Sequence, residues 1–145
     1  MQKSFTLIEL LLAIAILGIL AGLSVPFLIN FKAIQDLDIT TQEVVSVLRK
    51  AQERSISAEK NSSWGVNFSQ PKKYILFREN FNLSSVENEI YEIPANIGLT
   101  SNLFEVKFEK LSGRISNEFE IILTGGNKKN KILINQEGAI NYFRL

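Results

Sequence analysis

Hydrophobic and polar positions divide the chain into three stretches. Residues 10–29 form an unbroken run of twenty positions without a charge. From Ile34 onward, apolar and small residues recur every three or four positions: Ile34, Leu37, Thr41, Val44, Leu48, Ala51 and Ser55, with Val45 and Ile56 widening the stripe. Lys32, Asp36, Glu43, Lys50, Glu53 and Arg54 lie away from its centre. That period predicts an amphipathic helix to about Ala58, its stripe packed on the domain that follows, and Asn61-Ser62-Ser63 ends it. Beyond this point the pattern changes to strands rich in β-branched and aromatic residues, at 63–69, 73–79, 89–93, 104–109, 118–124, 131–135 and 139–143. Phe104, Val106 and Phe108 alternate with Glu105, Lys107 and Glu109. Turn-like separators at Gly125-Gly126-Asn127 and Glu137-Gly138 predict a three-stranded meander from Glu118 to Phe143. Residues 80–88 read as the most mobile loop.

At about 1.5 Å per residue, twenty helical residues span about 30 Å, the thickness of a bilayer core. The run is therefore expected to be a membrane helix. A buried helix of a soluble domain usually carries a polar stripe, which this run lacks. A removable secretory signal has a shorter apolar core and small residues after it, for which Ala21-Gly22-Leu23-Ser24 is a weak candidate. Lys3 precedes the run, and Lys32 beyond it is offset by Asp36 and Asp38. The expected orientation places the N-terminus in the cytoplasm and everything from about Asn30 outside it. Gly18, Gly22 and Pro26 share one face of this helix, at i, i+4 and i+8. Pro26 has no N–H for the Gly22 carbonyl, and the glycines weaken the stretch by about 1 kcal/mol each relative to Ala. Three readings stand: a close-packing face for another helix, a segment built to kink or unwind, or the ordinary abundance of Gly and Pro in membrane helices.

Composition narrows the function. Sixteen Lys+Arg against fifteen Asp+Glu give a net charge of +1, so there is no global pull toward nucleic acid or anionic lipid. With no Cys and no His, the chain lacks disulfides, thiolate metal sites, the commonest metal ligand and the commonest general base. No paired carboxylates and no phosphate loop stand out, and Gly125-Gly126 reads as a hairpin turn. The expectation is a protein that is not an enzyme and holds no metal or cofactor. Lys128, Lys129 and Lys131, with Lys72, Lys73 and Arg144, form either a DNA-facing patch or a solvated turn. Trp64 reads as core rather than a ligand platform, because it lies where the helix meets the first strand.

One acid stands at the head of the apolar run. Glu9 follows Ser4-Phe5-Thr6-Leu7-Ile8 and leads into the membrane segment. A carboxylate at mid-membrane costs roughly 2.5–3.5 kcal/mol on insertion scales, so a partner for it is expected. Ser4-Phe5-Thr6-Leu7-Ile8-Glu9-Leu10, followed by an apolar helix with a proline near its far end, resembles the class III signal of type IV pilins and pseudopilins. The resemblance implies that a prepilin peptidase cuts between Ser4 and Phe5 and methylates the new Phe5 amine. Ser4 departs from the usual Gly at that position, and it too is small. Cleavage would create an ammonium about 6 Å from Glu9 along the helix axis, on the same face. The pair is either internal or, as the family implies, formed between Glu9 of one subunit and the Phe5 amine of its neighbour. A charge pair of the second kind sets the register of packed helices, as buried polar residues do in coiled coils.

Leu48-Arg49-Lys50-Ala51-Gln52, Ser57-Ala58 and Trp64-Gly65-Val66 further resemble H-type minor pseudopilins of type II secretion and minor pilins of DNA-uptake pili. The expected fold is α+β and pilin-like, with one long N-terminal helix of about fifty-four residues, or ~80 Å, on an antiparallel β-rich domain. The expected divisions are a leader at 1–4, a transmembrane and assembly half at 5–29, an amphipathic half at 30–59 and a globular domain at 60–145. The expected function is that of a structural subunit of a pilus or pseudopilus filament. Its partners would be the peptidase, like subunits and, before assembly, the membrane. A minor tip pilin that binds DNA or a surface is the alternative.

Overall fold

The computed structural model describes residues 6–145. It has one long helix, α1 (Leu7–Ile56), a short 3-10 turn at Glu59–Asn61, and eight strands. These are β1 (Trp64–Asn67), β2 (Lys73–Arg78), β3 (Glu89–Glu92), β4 (Ile97–Ser101), β5 (Glu105–Phe108), β6 (Phe119–Gly125), β7 (Lys128–Ile134) and β8 (Ile140–Arg144). They form two antiparallel four-stranded sheets, ordered β3-β2-β1-β5 and β4-β6-β7-β8. The chain divides into two compact units, residues 1–32 and 33–145. The amphipathic part of α1 therefore belongs to the same unit as the sheets, rather than standing as a division of its own.

One core joins the second half of α1 to both sheets. Leu37, Val44, Leu48 and Ala51 meet Trp64, Val66, Leu76, Val106 and Phe108 of the first sheet and Phe119, Ile121, Leu123, Ile132 and Ile134 of the second. Strand alternation delivers these residues: β6 shows buried positions at every second residue, as a sheet with one covered face requires. The helical stripe is wider than its sequence period suggests. Ala33, Thr40 and Val47 are buried as well, whereas Ile34 is half-buried and Ile56 is 48% exposed. Thr41 is tolerated inside because its hydroxyl donates to the Leu37 carbonyl at 2.7 Å. Gly125 permits the close approach of β6 to α1, since a Cβ there would stand 2.7 Å from the Ala33 carbonyl oxygen and 2.8 Å from the Leu37 Cβ.

The expected meander is β6-β7-β8, with Gly125 inside β6 and opposite Lys128. That leaves Gly126 and Asn127 as a two-residue turn whose first residue has φ 58, a conformation glycine adopts without strain. β4 was not expected. Its sequence, Ile97-Gly98-Leu99-Thr100-Ser101, has a glycine near its start and buries only Ile97 fully. Register with β6 makes the strand. The segment 80–88 is held to the first sheet at its two ends. Phe81 meets Phe77 edge-on at 5.6 Å, and Glu87 pairs with Lys60 at 2.6 Å and Arg78 at 2.7 Å.

Candidate functional site

The N-terminal part of α1 begins on a capping box. Thr6 precedes the first helical residue, and its hydroxyl accepts the Glu9 backbone N–H at 3.3 Å. The Glu9 carboxylate in return accepts the Thr6 backbone N–H and hydroxyl, both at 3.4 Å. Two backbone donors that no helical carbonyl can reach are thus satisfied reciprocally, and the negative charge sits at the positive end of the helix. Thr-x-x-Glu is a readable helix-start signal, yet sequence reasoning assigned Glu9 a charge partner and gave Thr6 no role. Ser4 and Phe5, the expected cleavage and methylation positions, lie outside the described residues, and so does the Phe5 amine expected to pair with Glu9.

After the cap, every side chain described between Leu7 and Gly22 is exposed. Leu7 is 77% exposed, Ile8 75%, Leu17 65% and Ile19 66%. A surface of this size and apolarity is covered in any stable state of the protein, by lipid or by protein. Among the described residues, however, no helix is long and apolar enough to cross a membrane. A Cβ added at Gly18 or Gly22 would meet nothing within 4 Å, so among the described residues their smallness serves no contact. α1 runs through Gly18, Gly22 and Pro26 without a break, so the stretch is helical in the subunit.

The lysines that read as either a DNA-facing patch or a solvated turn are dispersed. Lys128 stands on the same side of β7 as Asn130, which is buried and donates to Asp38 at 3.1 Å and Thr41 at 3.0 Å. Lys129 and Lys131 stand on the other side by strand alternation. Lys131 is paired with Glu120 at 2.8 Å and Arg144 with Asp38 at 2.6 Å. Lys72 and Lys73 belong to the other sheet's β2 end; Lys73 lies 3.7 Å from Glu92, and Lys72 donates to the carbonyls of Ala95 at 3.2 Å and Ile97 at 2.5 Å. Trp64 is core, 2% exposed, with the Arg54 guanidinium 4.7 Å from its ring centroid.

The strongest electrostatic feature is structural. Lys50 and Arg54 of α1 converge on Glu89 of β3 at 2.6 and 2.7 Å. Burial alone pushes the Glu89 carboxyl up, but the hydrogen bonds from Lys50, Tyr91 and Arg54 outweigh it and hold it down at about 2. The same contact raises Lys50. Burial pushes the Tyr74 hydroxyl far above its ordinary range, and that oxygen has no hydrogen-bond partner among the described residues.

Comparison with known proteins agrees with this geometry. Residues 1–25 match the model of a prokaryotic N-terminal methylation motif. No curated protein matches the whole-chain sequence search. Two solved structures match the fold. One is the minor pseudopilin EpsH from the type 2 secretion system of Vibrio cholerae, at 12% identity and a TM-score of 0.58, covering 75% of this chain and 97% of that one. The other is the type IV minor pilin FimU of Pseudomonas aeruginosa, at 13% identity and a TM-score of 0.60, covering 78% of this chain and 92% of that one. The chain carries an N-terminal methylation motif and, behind it, a pilin-like α+β fold.

Proposed function

We propose that the chain is a structural subunit of a type IV pilus-like or type II secretion pseudopilus filament. A prepilin peptidase removes residues 1–4 and methylates Phe5, and the subunit assembles through the first half of α1. The observation that carries this reading is the join between a methylation motif at residues 1–25 and a helical surface exposed along its whole described length from Leu7 to Gly22. Before assembly that surface is covered by lipid, with the globular unit outside the cytoplasmic membrane. In the filament it is covered by the helices of neighbouring subunits. Moving from one apolar environment to another keeps the surface away from water throughout. The Phe5 ammonium supplies the charge that Glu9 lacks in the precursor, and the pair fixes the axial register of adjacent helices.

The intact mass of the chain recovered from its native cells tests the first step. A protein beginning at Phe5 and one methyl group heavier is expected. A chain that keeps Met1–Ser4 overturns the reading and points to a permanent membrane anchor. The dispersal of Lys128, Lys129 and Lys131 over two faces of β7 gives the DNA-binding alternative no support.

A further inference from the structure

Each sheet has two edges, and the four edges are not equivalent. Antiparallel pairing bonds alternate residues to the neighbouring strand and turns the others outward. In the first sheet, the Ile93 N–H donates to the Lys72 carbonyl at 2.8 Å, so Ile90 and Glu92 of β3 face out. That edge is tied to α1 by Lys50 and Arg54 through Glu89. In the second sheet, the Asn102 N–H donates to Glu120 at 3.1 Å, which turns Ile97, Leu99 and Ser101 of β4 outward. Lys72 occupies that edge by donating to the Ile97 carbonyl at 2.5 Å. A lysine placed this way is a common guard against strand addition.

The remaining two edges are open. The Phe68 N–H donates to the Phe104 carbonyl at 2.7 Å, so Val106 and Phe108 bond to β1 and the backbone groups of Glu105 and Lys107 face out. Beside them lies a recess of about 230 Å³ lined by Val106, Ile115 and Phe119. The Glu109 N–H is taken by the Arg114 carbonyl at 2.8 Å, which closes one end of this edge. On β8, the Leu145 N–H donates to Lys129 at 2.8 Å, so Ile140, Tyr142 and Arg144 turn their backbone groups out. Among the described residues these outward groups of β5 and β8 have no other partner.

We propose that β8 of one copy adds, antiparallel, to β5 of the next. The register that uses only open positions sets Lys107 opposite Tyr142 and Glu105 opposite Arg144. Opposed charges and a cation over an aromatic ring both stabilise cross-strand neighbours. Arg144 already binds Asp38 at 2.6 Å, and its five N–H donors allow it to hold Glu105 as well. Because the two edges differ, the contact is head-to-tail. Each added copy presents a fresh β5 and a fresh β8, so the contact propagates instead of closing on itself. The occupant is a second copy because the same chain supplies both unguarded edges with matching open positions. The inference rests on the filament reading and adds to it a contact between globular units.

The absence of cysteine makes a direct test possible. Lys107→Cys and Tyr142→Cys are introduced singly and together into the full-length chain in its native cells, followed by mild oxidation. Opposed residues in a bonded pair have Cα atoms about 5.5 Å apart, within disulfide reach. The double variant is expected to give a ladder of dimers, trimers and longer species, and each single variant none. Dimers from Tyr142→Cys alone, with no ladder from the double variant, would mean that β8 pairs with itself and would overturn the proposal. Ile16→Cys on the exposed helix serves as the assembly control. Cross-linking through Ile16→Cys without a Lys107–Tyr142 ladder overturns the strand contact and leaves the filament reading standing. No cross-link from either set overturns both.

Discussion

The Ser55 hydroxyl serves both backbone groups of Trp64, accepting its N–H at 2.8 Å and donating to its carbonyl at 3.3 Å. Both residues are buried, so this one oxygen splices the end of α1 to the start of β1. Ser55→Ala removes both of these hydrogen bonds, each worth about 0.5–1.5 kcal/mol net, and leaves the Trp64 backbone only its pairing with Phe108. A loss of about 2 kcal/mol is expected in thermal unfolding of the full chain in detergent. A change under about 0.5 kcal/mol would show that the splice is not structural.

Glu89 gives stability a pH dependence of defined sign. Its folded pKa of about 2 lies below the ordinary 4.5. A depressed carboxylate contributes fully above its unfolded value, and the contribution is lost as pH falls from about 4.5 to about 2. The side chain is 34% exposed, and screening reduces the expected contribution to about 1 kcal/mol. Glu89→Gln is expected to cost that amount at pH 7 and to flatten the acid limb of the stability curve. An unchanged acid limb would remove Glu89 from the account.

Tyr74 is predicted to be over-functionalised for its place. Its ring stacks between Phe68 and Tyr91, at centroid distances of 5.9 and 5.2 Å, but its hydroxyl is buried without a partner. Tyr74→Phe keeps the stacking and removes the unmet oxygen, so stability is expected to hold or rise by about 1 kcal/mol. Destabilisation on chemical denaturation would contradict this.

Gly125→Val is expected to cost about 2 kcal/mol or more. Its side chain would meet the Ala33 carbonyl and the Leu37 Cβ, which are fixed by the helix, as well as the movable Ile97 Cδ1. Hydrogen exchange would show the loss at the β6 end and at the adjoining turn of α1.

Glu9→Ala is expected to abolish entry into filaments, while Thr6→Val preserves it. The first change removes the charge, whereas the second removes only the threonine's share of the helix cap, which costs about 1 kcal/mol locally. Counting each variant in purified filaments separates the two roles. Wild-type incorporation of Glu9→Ala would end the register argument.

The helix, its buried stripe and the meander were legible because each rests on local signals: the three-four spacing from Leu37 to Ser55, alternation in β6, and glycine at the β6–β7 turn. β4 was not, since Gly98 interrupts it and Leu99 is only half-buried, and its strand form rests on pairing with β6. The two readings of the lysine cluster were not separable in the sequence for a related reason. Proximity in sequence at 128–131 becomes alternation across a sheet, and the counter-charges Glu120 and Asp38 come from other elements. Glu9 was half-read: its charge attracted attention, while the ordinary capping grammar with Thr6 went unnoticed.

That capping grammar changes what kind of trigger Glu9 is. An acid with nothing to hold would seize any stray cation at the mouth of the helix. Here one of its oxygens, Oε2, already accepts from Thr6, through two contacts at 3.4 Å that are long and easily surrendered. The carboxylate rests in a weak latch, which the Phe5 ammonium of the proposed charge pair would release by arriving at the correct height.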